Sequence, residues 1–145
     1  ALEMAHKELE EAISEYRKTY KERLEKHASH YCQAISNVPE RYVEFDENFN
    51  ISVREGGRLC PVEYLSKGGR DQLYLALRFA VADLLAEEVK LPLIFDDSFT
   101  STDANRKDNI RRILQQQAIE RQFIIMAHED AYSNWGQPVE IKSLV

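Results

Sequence analysis

Three short stretches of this chain carry residue types that could do chemistry. The first is Leu91-Pro92-Leu93-Ile94-Phe95, an apolar run that ends in Asp96 and Asp97. An apolar run this short, without alternation, predicts a strand buried on both faces, as in a parallel sheet. Two adjacent carboxylates repel one another and are costly to bury unpaired, so the pair points to a cation. Ligands bind at the carboxyl ends of the strands in open α/β sheets, which makes a metal-and-phosphate site the first expectation. A rival reading is open from the same residues: Asp97 or Ser98 could simply cap the next helix. The second stretch is Gln122-Phe123-Ile124-Ile125-Met126-Ala127, a mostly apolar run followed by His128. The third is Ser66-Lys67-Gly68-Gly69-Arg70. A serine cap and two glycines at a helix start leave backbone N–H groups open to an anion, and Lys67 and Arg70 add positive charge. Taken alone, that stretch is read more simply as a capped helix after a glycine turn.

The elements that must position these residues follow from periodicity. Strand 91–96, a helix from Asp103 or Asn105 to Gln117 with Ile110, Ile113 and Leu114 on one face, and strand 122–127 make a βαβ unit. Its strands should be parallel and its crossover right-handed. Asp96, Asp97 and His128 then emerge on one edge of one sheet, where His128 reads equally as a catalytic residue or as a hydrogen-bonded structural one. The stretch after Ser66 predicts a helix to about residue 89, with Leu73, Leu77, Ala80, Val81, Leu84 and Leu85 at helical spacing. Upstream, 41–46 and 49–54 predict strands, and Glu55-Gly56-Gly57-Arg58 a hairpin turn whose glycines supply positive φ. Residues 59–63 predict the return strand, demoted to an edge by Pro61. Residues 135–138 read as a turn and 139–145 as a last strand.

Residues 2 to about 36 predict one helix, with neither Gly nor Pro before Pro39. At 1.5 Å per residue it would reach roughly 50 Å. Leu2, His6, Leu9, Ile13, Tyr16 and Tyr20 step alternately by four and three, which is a heptad seam. After Tyr20 the pattern steps by four twice, through Leu24 and Ala28, which is a stutter. The first half therefore reads as coiled coil and the second as docking on a globular body; the alternative is a plain long amphipathic surface helix. The seam needs a partner helix that no other segment here supplies. His27, His30 and Cys32 lack the spacing of a metal site on a helix, where i and i+3 neighbour each other but i+5 does not.

Composition sets broad bounds. The 145 residues are one domain's worth, and 43% hydrophobic with 30% charged is ordinary for a soluble globular protein. No apolar run approaches the ~20 residues that span a bilayer, and the first residues lack a signal-peptide core, so a cytoplasmic location is expected. Cys32 and Cys60, without CxxC spacing, read as reduced thiols. The net charge of -6 argues against a basic nucleic-acid footprint on this piece, without excluding DNA binding by other segments or by a dimer.

Four elements in a fixed order carry a family resemblance. Leu65-Ser66-Lys67-Gly68-Gly69 resembles the LSGGQ signature of the ABC-class ATPases, and Leu93-Ile94-Phe95-Asp96-Asp97 resembles a Walker B strand. Ser101-Thr102-Asp103 falls where the D-loop falls, and Met126-Ala127-His128 resembles the switch-histidine loop. A coiled coil just before the lobe is typical of the SMC, RecN and SbcC-like branch. The run Arg70-Asp71-Gln72-Leu73-Tyr74-Leu75-Ala76-Leu77-Arg78 looks closest to YhaN-type members. The resemblance covers 40–142 well and the helix loosely. It implies an α/β fold: the C-terminal lobe of a P-loop ABC-class ATPase head, with parallel strands and flanking helices. A small antiparallel hairpin and a long N-terminal coiled-coil helix would precede it. Residues 1–38 would be the coiled-coil helix and 39–145 the lobe.

The resemblance also implies roles. Asp96 would hold Mg²⁺. Asp97, in the position of the usual catalytic Glu, would polarise the attacking water, and His128 would contact the γ-phosphate and sense it. Ser66 and the N–H groups at Gly68 and Gly69, with Lys67 and Arg70 alongside, would bind the γ-phosphate of ATP held by a second head. Asp103 would lie at the head-to-head seam. Asp97 is one methylene shorter than Glu, Lys67 replaces the first signature glycine, and Gly69 replaces the Gln or Glu. No Gly-x-x-x-x-Gly-Lys-Ser/Thr occurs in the chain; the family carries that phosphate loop in an N-terminal lobe. The implied partners are that lobe of the same protein, a second identical head in an ATP-dependent homodimer, an antiparallel coiled-coil helix, and DNA, with no membrane. The implied function is the C-terminal half-site of an SMC-like ATPase in DNA repair, recombination or chromosome maintenance, inactive as this fragment alone. Two alternatives are a transporter nucleotide-binding domain, in which such a helix before the lobe is unexpected, and a non-hydrolytic structural module, motivated by Lys67, Gly69 and Asp97.

Overall fold

A computed structural model describes residues 2–85, 90–100, 102–128 and 130–139. They belong to two compact units, Ala1–Val89 and Lys90–Val145.

The first unit begins with α1 (Leu2–Ser36). Its helix formers run uninterrupted to Asn37, whose φ of 55° ends the helix two residues before Pro39. The two halves of α1 differ as the stutter predicts. Seam residues Leu2, Leu9, Ile13 and Tyr16 are exposed, whereas Leu24, Ala28, Tyr31, Cys32 and Ile35 are buried. Burial pushes the Cys32 thiol up to about 11. Strands β1 (Arg41–Phe45), β2 (Ile51–Glu55) and β3 (Arg58–Pro61) form an antiparallel sheet in that order. Gly56 (φ 54°) and Gly57 (φ 78°) make the β2–β3 turn, as a two-residue hairpin loop with both central φ positive requires. The outer edge of β1 is covered by α1. Val43 N–H donates to Ser29 Oγ at 2.8 Å, and Phe45 N–H donates to Glu25 Oε1 at 2.8 Å. An edge strand is thereby denied to other chains.

Two expectations shift here. Strand β2 starts at Ile51 rather than at Phe49, which has φ 61°. The Asp46 carboxylate accepts from the N–H groups of Asn48 and Asn50 and from Asn50 Nδ2, and this closed turn takes Phe49 out of the ladder. Helix α2 (Lys67–Leu85) buries Gln72, Leu75, Ala76, Phe79, Ala80 and Leu84 as well as Leu73, while Leu85 is exposed. Its buried stripe is thus rotated from the predicted one toward α1. There Tyr31 stacks on Phe79 with centroids 5.0 Å apart, and the Tyr31 hydroxyl donates to the Asp83 carboxylate.

The second unit is β4 (Leu93–Asp96), α3 (Ala104–Gln117) and β5 (Phe123–Met126). The two strands are parallel, with Phe95 opposite Ile125 and Asp96 opposite Met126. Ile110, Ile113 and Leu114 are buried, the face predicted for α3. The strands are not buried on both faces. Phe95 is 1% exposed, but its neighbour Ile94 is 60%, and on β5 Ile124, opposite Ile94, and Met126, opposite Asp96, are 41% and 42%. Successive side chains alternate between faces, and only one face of this pair is packed. The strand expected over 139–145 lies, apart from Val139, outside the described residues, as does the helix beyond Leu85 over 86–89. No helix among the described residues is long and apolar enough to cross a membrane.

Candidate functional site

The parallel pairing of β4 and β5 brings their carboxyl ends together. Asp97 N–H donates to the Met126 carbonyl at 2.9 Å, extending the ladder by one bond past β4. Asp97 then turns the chain with φ 43°, a left-handed conformation that Asp tolerates better than most residues. The turn sets its Oδ2 3.0 Å from Nε2 of His128. Asp96, one residue earlier, is exposed and shares the open face of Ile94. The two adjacent acids therefore do not share one direction: Asp97 meets an imidazole, and Asp96 remains open to a cation.

The loop that follows is held from within. Ser98 Oγ donates to the Asp96 carbonyl and Thr100 Oγ1 to the Asp97 carbonyl, both at 3.2 Å, and Thr102 N–H donates to the Phe99 carbonyl at 3.1 Å. Phe99 is buried. The capping role that the sequence left open for Asp97 or Ser98 belongs to Asp103. Its Oδ1 accepts from Arg106 N–H at 3.0 Å, and its Oδ2 lies 3.0 Å from Arg106 Nη1. Ser101 lies outside the described residues.

In the first unit, Ser66 caps α2. Its Oγ accepts from Gly69 N–H at 3.1 Å and its carbonyl from Arg70 N–H at 2.9 Å. A Cβ at Gly69 would lie 3.3 Å from that Oγ, a tight contact to which the capping serine would have to yield by a few tenths of an ångström. Lys67 and Arg70 are exposed beside the cap. Sequence reasoning missed Gln72. It is buried, and its Nε2 donates to the Gly68 carbonyl at 2.8 Å, tightening the first turn of α2. The signal was present: a lone polar residue on the apolar stripe, one turn from the glycines. His27 lies 3.8 Å from the Asp83 carboxylate, and Cys32 is buried in the α1 core. Among the described residues no group of three His, Cys, Asp or Glu is arranged to hold a metal.

Comparison with known proteins gives these residues a setting. No protein-family model matches the chain. The DNA double-strand break repair Rad50 ATPase of Thermoplasma volcanium is 30% identical over 105 residues, covering 69% of this chain and 12% of that protein. The uncharacterized protein YhaN of Bacillus subtilis is 27% identical over 116 residues, covering 79% of this chain and 12% of that protein. The chain thus spans about an eighth of the length of these curated relatives. A structure solved in work on ATP-driven dimerization and DNA-stimulated activation of SMC ATPases has a TM-score of 0.72 at 18% identity, covering 91% of this chain and 84% of that one. That likeness extends to the fold, and the sequence relationship to Rad50 and YhaN goes with it. The chain is a C-terminal fragment of an SMC/Rad50-like ATPase head.

Proposed function

We propose that this chain supplies the C-terminal half-site of an ATPase that binds and hydrolyses ATP where two heads meet, in DNA repair, recombination or chromosome maintenance. The contact between Asp97 and His128 at the shared end of β4 and β5, with Asp96 beside it, carries this reading. Mg²⁺ is held elsewhere by one or two carboxylates together with phosphate oxygens and water, so a single open carboxylate such as Asp96 fits it without a cage of protein ligands. When bound, that ion neutralises charge developing on the phosphate oxygens. Asp97 accepts a hydrogen bond from the attacking water and orients it. His128, kept close by Asp97, donates to the γ-phosphate.

The signature residues Ser66, Lys67, Gly68, Gly69 and Arg70 serve the ATP of the second head. An anion at the start of α2 is favoured by the helix dipole and by Lys67 and Arg70. The Gly69 N–H now satisfied by Ser66 Oγ is the one such a ligand shares. Asp103 keeps α3 capped and lies at the seam between heads. The open face of Ile94, Ile124 and Met126 supports docking of an apolar layer, the N-terminal lobe that brings the phosphate loop. The exposed seam of α1 supports an antiparallel partner helix. The Rad50 relative acts in DNA double-strand break repair, and the SMC structure concerns ATP-driven dimerization and DNA-stimulated activation. In the intact protein, Asp97→Asn is expected to lower ATP turnover about 100-fold or more while leaving ATP-dependent association in place. Steady-state turnover and light scattering measure the two. Wild-type turnover in Asp97→Asn would refute the assignment.

A further inference from the structure

The His128 side chain is 92% exposed, and among the described residues its polar contact is Asp97 at 3.0 Å. Side-chain packing therefore cannot fix the imidazole. Its position is inherited from backbone on either side. Before it, β5 pairs with β4 through Met126, whose carbonyl accepts from Asp97 N–H. After it comes a short 3₁₀ turn, Asp130–Tyr132, extended by bonds from Ser133 N–H to Asp130 O and from Trp135 N–H to Tyr132 O.

That turn is anchored by rings. Tyr132 and Trp135 meet edge to face with centroids 5.0 Å apart. Both lie against Phe99, at 6.1 and 5.5 Å, and Phe99 lies 5.1 Å from Phe95 inside β4. Lys107, on the first turn of α3, sits 5.2 Å over the Tyr132 ring. Phe99 and Tyr132 are buried, and among the described residues the buried Tyr132 hydroxyl has no hydrogen-bond partner. The tyrosine is thus held by its ring and not by its polar tip. Phe99 stands two residues after Asp97, and Tyr132 four after His128. The same ring cluster therefore anchors Phe99, two residues past Asp97, and the turn Asp130–Tyr132 that follows His128 in sequence.

We infer that Phe99, Tyr132 and Trp135 are positioning residues that hold His128 at the distance from Asp97 that hydrolysis needs; this rests on the ATPase reading above. Rings in offset or edge-to-face contact define relative position more sharply than aliphatic packing does, because their geometry is directional. A misplacement near 1 Å at a reacting group is enough to lose about 100-fold in rate.

The test uses the intact protein and compares Trp135→Ala, Trp135→Phe and Asp97→Asn with wild type. Trp135→Ala is expected to lower kcat at least tenfold with KM for ATP changed less than twofold. Trp135→Phe, which keeps a ring against Phe99, is expected to recover most of kcat. Thermal unfolding and ATP binding by calorimetry accompany each variant, so that a fall in the folded fraction is separated from a fall in kcat. If Trp135→Ala keeps wild-type kcat while Asp97→Asn abolishes turnover, the ring clasp is wrong and the ATPase reading stands. If Trp135→Phe is as impaired as Trp135→Ala, ring packing is not what positions His128. If Asp97→Asn turns over like wild type, the underlying reading fails with it.

Discussion

In Ala1–Val89 the candidate residues lie on the first turn of a 19-residue helix whose opposite stripe is buried against α1. In Lys90–Val145 they lie just past two four-residue strands with one face open. The first arrangement is local: Gly69 N–H is bonded to Ser66 Oγ and Gln72 Nε2 to the Gly68 carbonyl, each across a single helical turn, so these bonds come with α2 itself. The second is assembled across the chain. Asp97 and His128 meet only because β4 and β5 pair in register and Asp97 adopts φ 43°. A site built from local bonds can be finished by its own segment. A site at the end of a half-covered sheet depends on whatever layer covers that sheet.

The contrast can be broken or sharpened by substitution. The largest effect belongs to the packed unit. Phe79 is fully buried and stacked on Tyr31, and Phe79→Ala should lower stability by about 3–5 kcal/mol, measured by urea unfolding. A loss below about 1 kcal/mol would mean that the α1–α2 contact is not the core of that unit. A smaller effect is expected at Asp103, the cap of α3. Asp103→Ala should lose about 1 kcal/mol, most of it restored in Asp103→Asn, by the same measurement. The smallest belongs to the open face. Ile94→Ser in the 145-residue chain should change stability by no more than about 0.5 kcal/mol. A loss of about 1.5 kcal/mol or more would show that this face is packed after all and remove the contrast.

Much of this is legible in the sequence where the signal is local. Gly56-Gly57 announced their turn, because two positive φ angles in a row leave few alternatives to glycine. The stutter after Tyr20 marked where α1 passes from an exposed seam to buried packing, since a change of hydrophobic period is a change of partner. The apolar runs at β4 and β5, read as a βαβ unit, were enough to bring Asp97 and His128 to one edge. Other features were hidden for physical reasons. The apolar run of β4 reads the same whether its second face meets protein or solvent, so the exposure of Ile94 had no signature. The left-handed turn at Asp97 has no glycine to mark it. The displacement of Phe49 depended on the Asp46 carboxylate closing on Asn48 and Asn50, a turn that strand alternation masks. The rotated stripe of α2 was fixed by Tyr31 on another helix, which propensity along α2 alone cannot register.

On the proposed reading, Asp97 and His128 of one head work with Ser66 of another. Mixing two single variants of the intact protein tests it most directly: Asp97→Asn and Ser66→Arg, each expected to be inactive alone. If the signature acts on the partner's nucleotide, a mixed dimer gathers both lesions into one site and leaves the other whole. An equal mixture should then recover about a quarter of wild-type ATP turnover, since about half the dimers are mixed and each has one sound site. A mixture no more active than either variant alone would contradict the account.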